Sequence, residues 1–477
     1  MVHYRHREIE MGEAMNDDIE RRVTDMIHWV YESYGRVGNF AKSGYDRDVR
    51  HPVWTRTILD AMDKPDFHTP NIVVTGSKGK GTNAILVAAI LERLGFRVGL
   101  FTSPHLVDFL ERFRINGRQM DSDSFLKHMT CVKKVADAME LPVHHYFGPV
   151  GLLAAAAANW FAEQATDINV YELGRGARHD DVNQIRHLGA IVTPIIREHV
   201  DKLGPSIENI AWEKAGAITA ATEWVVLHPQ DGMVRAALDE ARKDATLVDI
   251  AEDVVWQWVQ PHVLHIQSTD QTGWEIRIRL SPDMDMYTTN VAAAVAAVQE
   301  LMRRGTLNRP MDQLPAELSL ERLHLPGRMQ RIGRVRWILV DGTVHAQGAR
   351  FVAAFLREAR RNQRQTAVIL GLPDDKDGQG VIDVLAPEAN LLVFSKAENP
   401  HLQFSGKWET YAREKDVCVD SAPTLADAKD VVARHLDEHA AIAFVGTQSF
   451  VGDVLRHFSA DCSSLWEDVV EQGRQTV

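Results

Sequence analysis

Residues 71–94 read NIVVTGSKGKGTNAILVAAILERL, and the order of residue types in this stretch decides the fold around it. Asn71–Thr75 is a short apolar run rich in β-branched side chains, the composition of a buried strand. A glycine-rich loop follows, Gly76-Ser77-Lys78-Gly79-Lys80-Gly81-Thr82, and then Asn83–Leu94 with helical spacing. A loop that leaves a strand and opens a helix presents backbone N–H groups at the positive end of the helix dipole, which suits a phosphate. Glycines let the backbone wrap closely, Lys80 carries a mobile charge to β- and γ-phosphates, and the Thr82 hydroxyl reaches a metal ion or a phosphate oxygen. Residues 76–82 are therefore the expected nucleotide site, ahead of the plainer reading of a glycine turn with an exposed lysine.

Outward from the loop the alternation of elements continues. Arg97–Thr102 reads as the next strand, so the order is strand, loop, helix, strand, the unit of a parallel sheet with both faces covered. Val150–Glu163 is an alanine-rich helix, and Ile168–Leu173, Ala190–Ile195 and Trp224–Leu227 are further strands. Residues 246–283 alternate like antiparallel strands, and Asn290–Met302 returns to helix. Residues 1–70 read as a helical lead-in with a polar segment. Arg- and Pro-rich text at 305–325 marks a boundary, after which Trp337–Val340, Phe351–Ala359, Thr366–Leu370, Leu391–Phe394 and Ile442–Val445 form a second α/β series.

Bulk composition bounds the function. At 477 residues the chain exceeds one ordinary core, and 45% hydrophobic with 25% charged residues is usual for a globular protein. A formal net charge of -13 argues against a nucleic-acid partner. Cys131, Cys418 and Cys462 have neither zinc spacing nor a disulfide pattern, which fits a reducing compartment. The charged start has no apolar signal core, and no run approaches the roughly 18 apolar residues of a membrane span. The expectation is a cytoplasmic protein with no membrane partner.

One detail of the loop narrows the class. In the common phosphate loop Lys precedes Ser or Thr directly, whereas here Gly81 intervenes, and Gly79-Lys80-Gly81-Thr82 resembles the folylpolyglutamate synthase/dihydrofolate synthase branch of the Mur ligase superfamily. The resemblance extends through Thr102-Ser103-Pro104-His105-Leu106 with Glu111–Gly117, Glu172–Asp180 with Asn183, Glu198-His199 before Leu203-Gly204, and Glu213-Lys214-Ala215-Gly216. Pro326-Gly327-Arg328, Asp341-Gly342, Asp375-Lys376-Asp377 and Gly446 with Val451-Gly452 carry it over roughly residues 70 to 460.

This resemblance implies an α/β fold: a Mur-ligase-like P-loop domain with a mainly parallel sheet at 1–315, and a smaller Rossmann-like α/β domain at 322–477. It implies an ATP-dependent ligase that joins a carboxylate acceptor to an amino-acid-like amine through an acyl phosphate. Lys80, His199 and Lys214 are the implied catalytic residues. Gly76, Ser77, Lys78, Gly79, Lys80, Gly81 and Thr82 hold the phosphates, Asn290 contacts adenine, and Arg328 and Asp341 reach ATP. Thr82, Ser103, Glu172 and His199 hold Mg²⁺, a hard cation that prefers oxygen ligands, and Lys214 carries a carbamate. Taken singly, Glu172 could be a solvated strand end, His199 a packed histidine, Lys214 a surface lysine, Asn290 a helix cap and Arg328 a linker charge.

Several residues depart from the family pattern. Gly174-Arg175-Gly176-Ala177-Arg178 stands where a Gly-Leu-Gly-Gly-Arg run is usual, and Asp341-Gly342-Thr343-Val344-His345-Ala346 where Asp-Gly-Ala-His-Asn-Pro is usual. The lead-in differs too, and the segment at 394–401 lacks an expected arginine. Arg175, Arg178 and His179 add cationic character near the acceptor. These departures favour an acceptor other than folate, with a true folylpolyglutamate/dihydrofolate synthase as the alternative and a nucleotide-binding regulatory subunit as the alternative of another class.

Overall fold

A computed structural model describes residues 2–270, 273–307, 315–332, 337–400 and 402–466, with side chains from residue 17 onward. The chain forms two compact units. The first comprises residues up to 103, 112–280 and 287–321; the second comprises 104–111, 281–286 and 322 onward. The expected boundary at 305–325 thus falls partly on residues outside those described.

In the first unit an eight-stranded sheet runs in the order Arg118–Gln119, Phe113–Ile115, Val98–Phe101, Ile168–Glu172, Asn71–Thr75, Gly189–Val192, Trp224–Leu227, Thr246–Asp249. All pairings are parallel except those of Phe113–Ile115 with its two neighbours. Asn71–Thr75 is interior to the sheet and every residue of it is buried. That is the position an uninterrupted β-branched run requires, since polar alternation would put charge into a covered face. The helix begins at Lys80, three residues ahead of the sequence reading, because the loop winds directly into the first turn. Lys80–Arg93 is buried from Gly81 to Leu91 and packs on Thr288–Arg303, whose Val291–Met302 stretch is buried as well.

The expected antiparallel region holds for Val254–Gln260, Val263–Ser268 and Glu275–Arg279, with Glu317–Ser319 added in parallel. Thr246–Asp249, read with that group, instead extends the parallel sheet beside Trp224–Leu227. The crossover helix Gly232–Arg242 between these two strands dictates the parallel pairing. The lead-in is a long helix Val2–Val37, two short helical turns Asn39–Lys42 and Asp46–Val49, and the helix Val53–Ala61. Val2–Val37 lies against Ser122–Ala136 and Pro149–Glu163.

The second unit is a six-stranded sheet in the order Gln330–Arg331, Ile338–Asp341, Ala441–Gly446, Thr366–Gly371, Leu391–Phe394, Cys418–Ser421, parallel apart from its first strand. Ala346–Arg361 and Gly378–Leu385 close one face around Leu356 and Leu370, and Leu425–His435 with Gln448–His457 close the other around Phe444 and Phe450. No helix of the described residues is long and apolar enough to cross a membrane.

Gly76 is where the loop geometry is most demanding. Its φ of +126° is one that side chains rarely adopt, and a Cβ there would lie 2.1 Å from Thr193 Oγ1. Gly76→Ala should therefore destabilise the protein by about 2 kcal/mol or more. The exposed Gly232, at a helix start with open space around it, should accept alanine with a change of less than about 1 kcal/mol. Urea unfolding followed by circular dichroism compares the two, and equal effects would contradict this account of the loop.

Candidate active site

The loop is anchored by its own backbone and by the neighbouring strand end. Ser77 N donates to Pro194 O at 2.9 Å, and Ser77 Oγ accepts from Ile196 N at 3.1 Å. Lys80 Nζ donates to Gly76 O at 3.1 Å and Asn83 Nδ2 to Gly79 O at 2.9 Å. Gly79 takes the left-handed conformation (φ +88°) just before the helix, and a Cβ on it would lie 2.9 Å from Asn290 Nδ2. Asn290 therefore stands directly against the loop. Behind it His228 is buried and shares Asn83 Oδ1 through Nε2 at 3.2 Å; burial pushes its imidazole down to about 4, so it stays neutral.

Lys214 ties the loop to two other segments. It is fully buried, yet its Nζ donates to Gly76 O at 2.8 Å, to Arg175 O at 2.6 Å and to Glu198 Oε1 at 3.3 Å. Three acceptors match the three protons of an ammonium. Burial, reinforced by the charge of Lys80, pushes Lys214 down to about 8, with Glu198 opposing. Burial alone would raise the Glu198 carboxyl, but Lys214 and Lys78 outweigh it and hold it below the usual range. Lys78 approaches the other carboxylate oxygen at 3.5 Å. Sequence reasoning gave Glu198 no role of its own; its place beside His199, where the family prefers Asp, was the available signal.

His199 sits in the left-handed region (φ +48°) as the residue preceding the turn Val200–Leu203. Burial lowers its imidazole, Glu198 opposes, and Lys214, Arg175 and Lys80 add to the lowering, so a lone pair stays available. Ser103 N donates to Glu172 Oε2 at 3.1 Å, which joins two of the expected metal residues, and Glu172 and Thr82 are both buried. Among the described residues no three His, Cys, Asp or Glu side chains gather as a metal cage. Mg²⁺ does not need one: it is held by one or two carboxylates together with phosphate oxygens and water. A carboxylate at Glu172, hydroxyls at Ser103 and Thr82 and the imidazole of His199 are donor types that suit that pattern, and of these the contact between Ser103 and Glu172 is the one the structure shows.

The cations expected to face an acceptor are engaged within the fold. Arg175 Nε donates to Asp46 Oδ2 at 2.7 Å, Arg178 lies 4.1 Å over the Trp212 ring, and His179 Nδ1 meets Glu213 Oε2 at 2.8 Å. The sequence shows the charges but not their partners, which lie 34 or more residues away.

In the second unit Asp341 is buried, with Oδ2 accepting from Met329 N and Oδ1 from Thr343 N, both at 2.8 Å. Burial raises its carboxyl to about 6, against the pull of these N–H groups and of Arg328. Arg328 and Asp341 are thus neighbours. His345, displaced by one position from the family's histidine, accepts from Gly348 N through Nδ1 at 3.1 Å and caps the helix Ala346–Arg361.

No family model matches the chain. It is 27% identical over 416 residues to the dihydrofolate synthase/folylpolyglutamate synthase of Mycobacterium tuberculosis, covering 82% of this chain and 84% of that one. Among solved structures, the M. tuberculosis folylpolyglutamate synthase complexed with ADP and AMPPCP superposes with a TM-score of 0.71 at 23% identity, over 86% of this chain and 96% of that one. The bifunctional folylpolyglutamate synthase/dihydrofolate synthase of Yersinia pestis, complexed with AMPPNP and a Mn ion, does so with a TM-score of 0.67 at 22% identity, over 87% and 94%. Motifs, relatives and fold agree: the chain resembles the folylpolyglutamate synthase/dihydrofolate synthase branch of the Mur ligase superfamily, and it is an ATP-dependent ligase that forms carbon–nitrogen bonds.

Proposed function

We propose that this ligase extends a folate-type carboxylate with an amino acid of the glutamate class. The observation that carries the reading is the Lys214 bridge, which holds the phosphate loop, the Arg175 segment and Glu198 in one charged set. The sequence reading placed a non-folate acceptor first; the relatives favour its alternative, since they carry folate and dihydrofolate synthase names. The internal pairing of Arg175, Arg178 and His179 also removes the reason for a differently charged acceptor. A regulatory role without catalysis finds no support in a site that retains Lys80, Glu172, His199 and Lys214.

In this reading the loop N–H groups and Lys80 hold the phosphates of ATP, and Asn290 lies beside the nucleotide. The γ-phosphoryl group passes to the acceptor carboxylate, which becomes an acyl phosphate as ADP leaves. The amine then attacks the acyl carbon, loses a proton and expels phosphate, leaving the amide. Lys80 and the loop dipoles oppose the charge that builds on the transferring group, where such stabilisation acts most. Mg²⁺, when bound by Glu172, Ser103, Thr82 and His199, neutralises phosphate charge. A carbamate on Lys214 would need the neutral amine, which a pKa of about 8 leaves as the minor form at neutral pH, and would give up two of the three N–H donations seen for the free amine; intact-mass measurement under CO₂ detects it.

The test is ADP release by the purified protein with dihydropteroate, reduced folates and unrelated carboxylates, each with a panel of amino acids. Turnover with folate-type acceptors and glutamate is expected, with acyl phosphate trapped by hydroxylamine. Silence with every folate beside turnover of another carboxylate would sink the acceptor assignment. Lys80→Ala should lower kcat by about 100-fold or more, by analogy with removal of one preorganised donor.

A pH measurement tests the Lys214 environment. Its folded pKa lies below its unfolded value, so between pH about 8 and 10.5 the unfolded chain holds more protons and stability contributed by this group rises with pH. Lys214→Met should flatten that rise in urea-unfolding free energy relative to the unaltered protein, and an unchanged slope would refute the assigned environment.

A further inference from the structure

The divergent lead-in reaches both segments that flank Lys214. Asp46, with its side chain only 2% exposed, forms a two-point pair with Arg175 through Nε at 2.7 Å and Nη2 at 2.5 Å. The carbonyl of that same Arg175 accepts from Lys214 Nζ. Four residues on, Arg50 Nη1 donates to His179 O and Asp180 Oδ2, each at 3.3 Å, while Nη2 lies 3.3 Å from Asp181 Oδ2. On the other side Lys202, in the turn that follows His199, donates to Lys42 O at 2.6 Å. Residues 42–50 are thus hydrogen-bonded to the 175–181 loop and to the 199–203 turn at once.

The chemistry of these contacts suits positioning. A bidentate carboxylate–guanidinium pair fixes angle as well as distance, and here its carboxylate is buried while the Arg175 side chain stays 36% exposed. Removing one member of a buried set strands the charge of the other, so the arrangement has few alternatives. None of residues 42–50 belongs to the phosphate loop or the expected metal set, and no motif of the sequence accounts for Asp46 or Arg50.

We propose that residues 42–50 are a positioning strap for the ligase centre, with Asp46 setting the Arg175 carbonyl that holds Lys214 and Lys42 O setting the turn that carries His199. The proposal rests on the reading of Lys214 and His199 as parts of that centre. Asp46 and Lys202 act through other residues and do not touch substrate.

The experiment compares the full-length protein with Asp46→Asn, Lys202→Met and the double variant. Expected are a kcat lower by about 10- to 100-fold in Asp46→Asn, as for misplacement of a catalytic group by an ångström, and a KM for ATP within about twofold. Hydrogen exchange should accelerate at 174–181 and 198–203 but not in the strand Asn71–Thr75. The double variant should lose less than the product of the single losses. A lowered melting temperature with kcat per folded molecule unchanged would overturn the proposal, as would unchanged exchange at both segments. If Asp46→Asn fails to fold, Lys202→Met tests the other arm by the same two readouts. If the unaltered protein turns over no folate acceptor, the acceptor assignment fails alone, and exchange at the two segments decides the strap.

Discussion

The first unit turns on a buried amine. Lys214 has no solvent to turn to, and its three N–H groups find the carbonyls of Gly76 and Arg175 and the carboxylate of Glu198. An ammonium removed from water is costly unless every donor is satisfied, so these three segments are held to one another by the need to satisfy it. The phosphate loop, the signature loop after Ile168–Glu172 and the Glu198-His199 corner come from separate strand ends. A parallel sheet brings such ends to one edge, and the lysine links them there.

The same cation explains the local electrostatics. It draws Glu198 below its usual range and adds to the lowering of the already buried His199, so that a carboxylate and a neutral imidazole stand side by side. Lys80, Lys78 and Lys214 crowd one region with positive charge, which suits a polyphosphate and disfavours any of them without a partner. Lys80 rests on Gly76 O and Lys78 near Glu198. The arginines that appeared free in the sequence are matched instead by Asp46 and by the Trp212 ring, so the charge available to substrate is smaller than a count of basic residues suggests.

Much of this was legible beforehand. The buried run Asn71–Thr75, the loop and the following helix were readable because strand burial, left-handed glycines and helix initiation are local properties of neighbouring residues. The resemblance named Ser103 and Glu172 as members of one metal set and Lys214 as a catalytic residue, without saying which backbone groups Lys214 would meet. What escaped were partners remote in sequence: Asp46 for Arg175, Glu213 for His179 and Lys42 O for Lys202. Thr246–Asp249 escaped for a related reason, since alternation shows a half-covered strand but not which neighbour it joins, and the crossover helix before it decided for the parallel sheet.

The sequence by itself determined the phosphate loop and the alternating α/β plan, because each depends on residue types at short, fixed spacings, while the ligase class came from the resemblance of its motifs to a known family. Only the tertiary structure decided which charges face one another. An ion pair depends on where two backbones meet, and in a sheet whose strand order departs from chain order that meeting place cannot be read along the chain. Hence Arg175 looked like a residue for the acceptor and proved to be bound to the lead-in, while Glu198, quoted beside its histidine but given no role of its own, proved to be the counter-charge of the buried lysine.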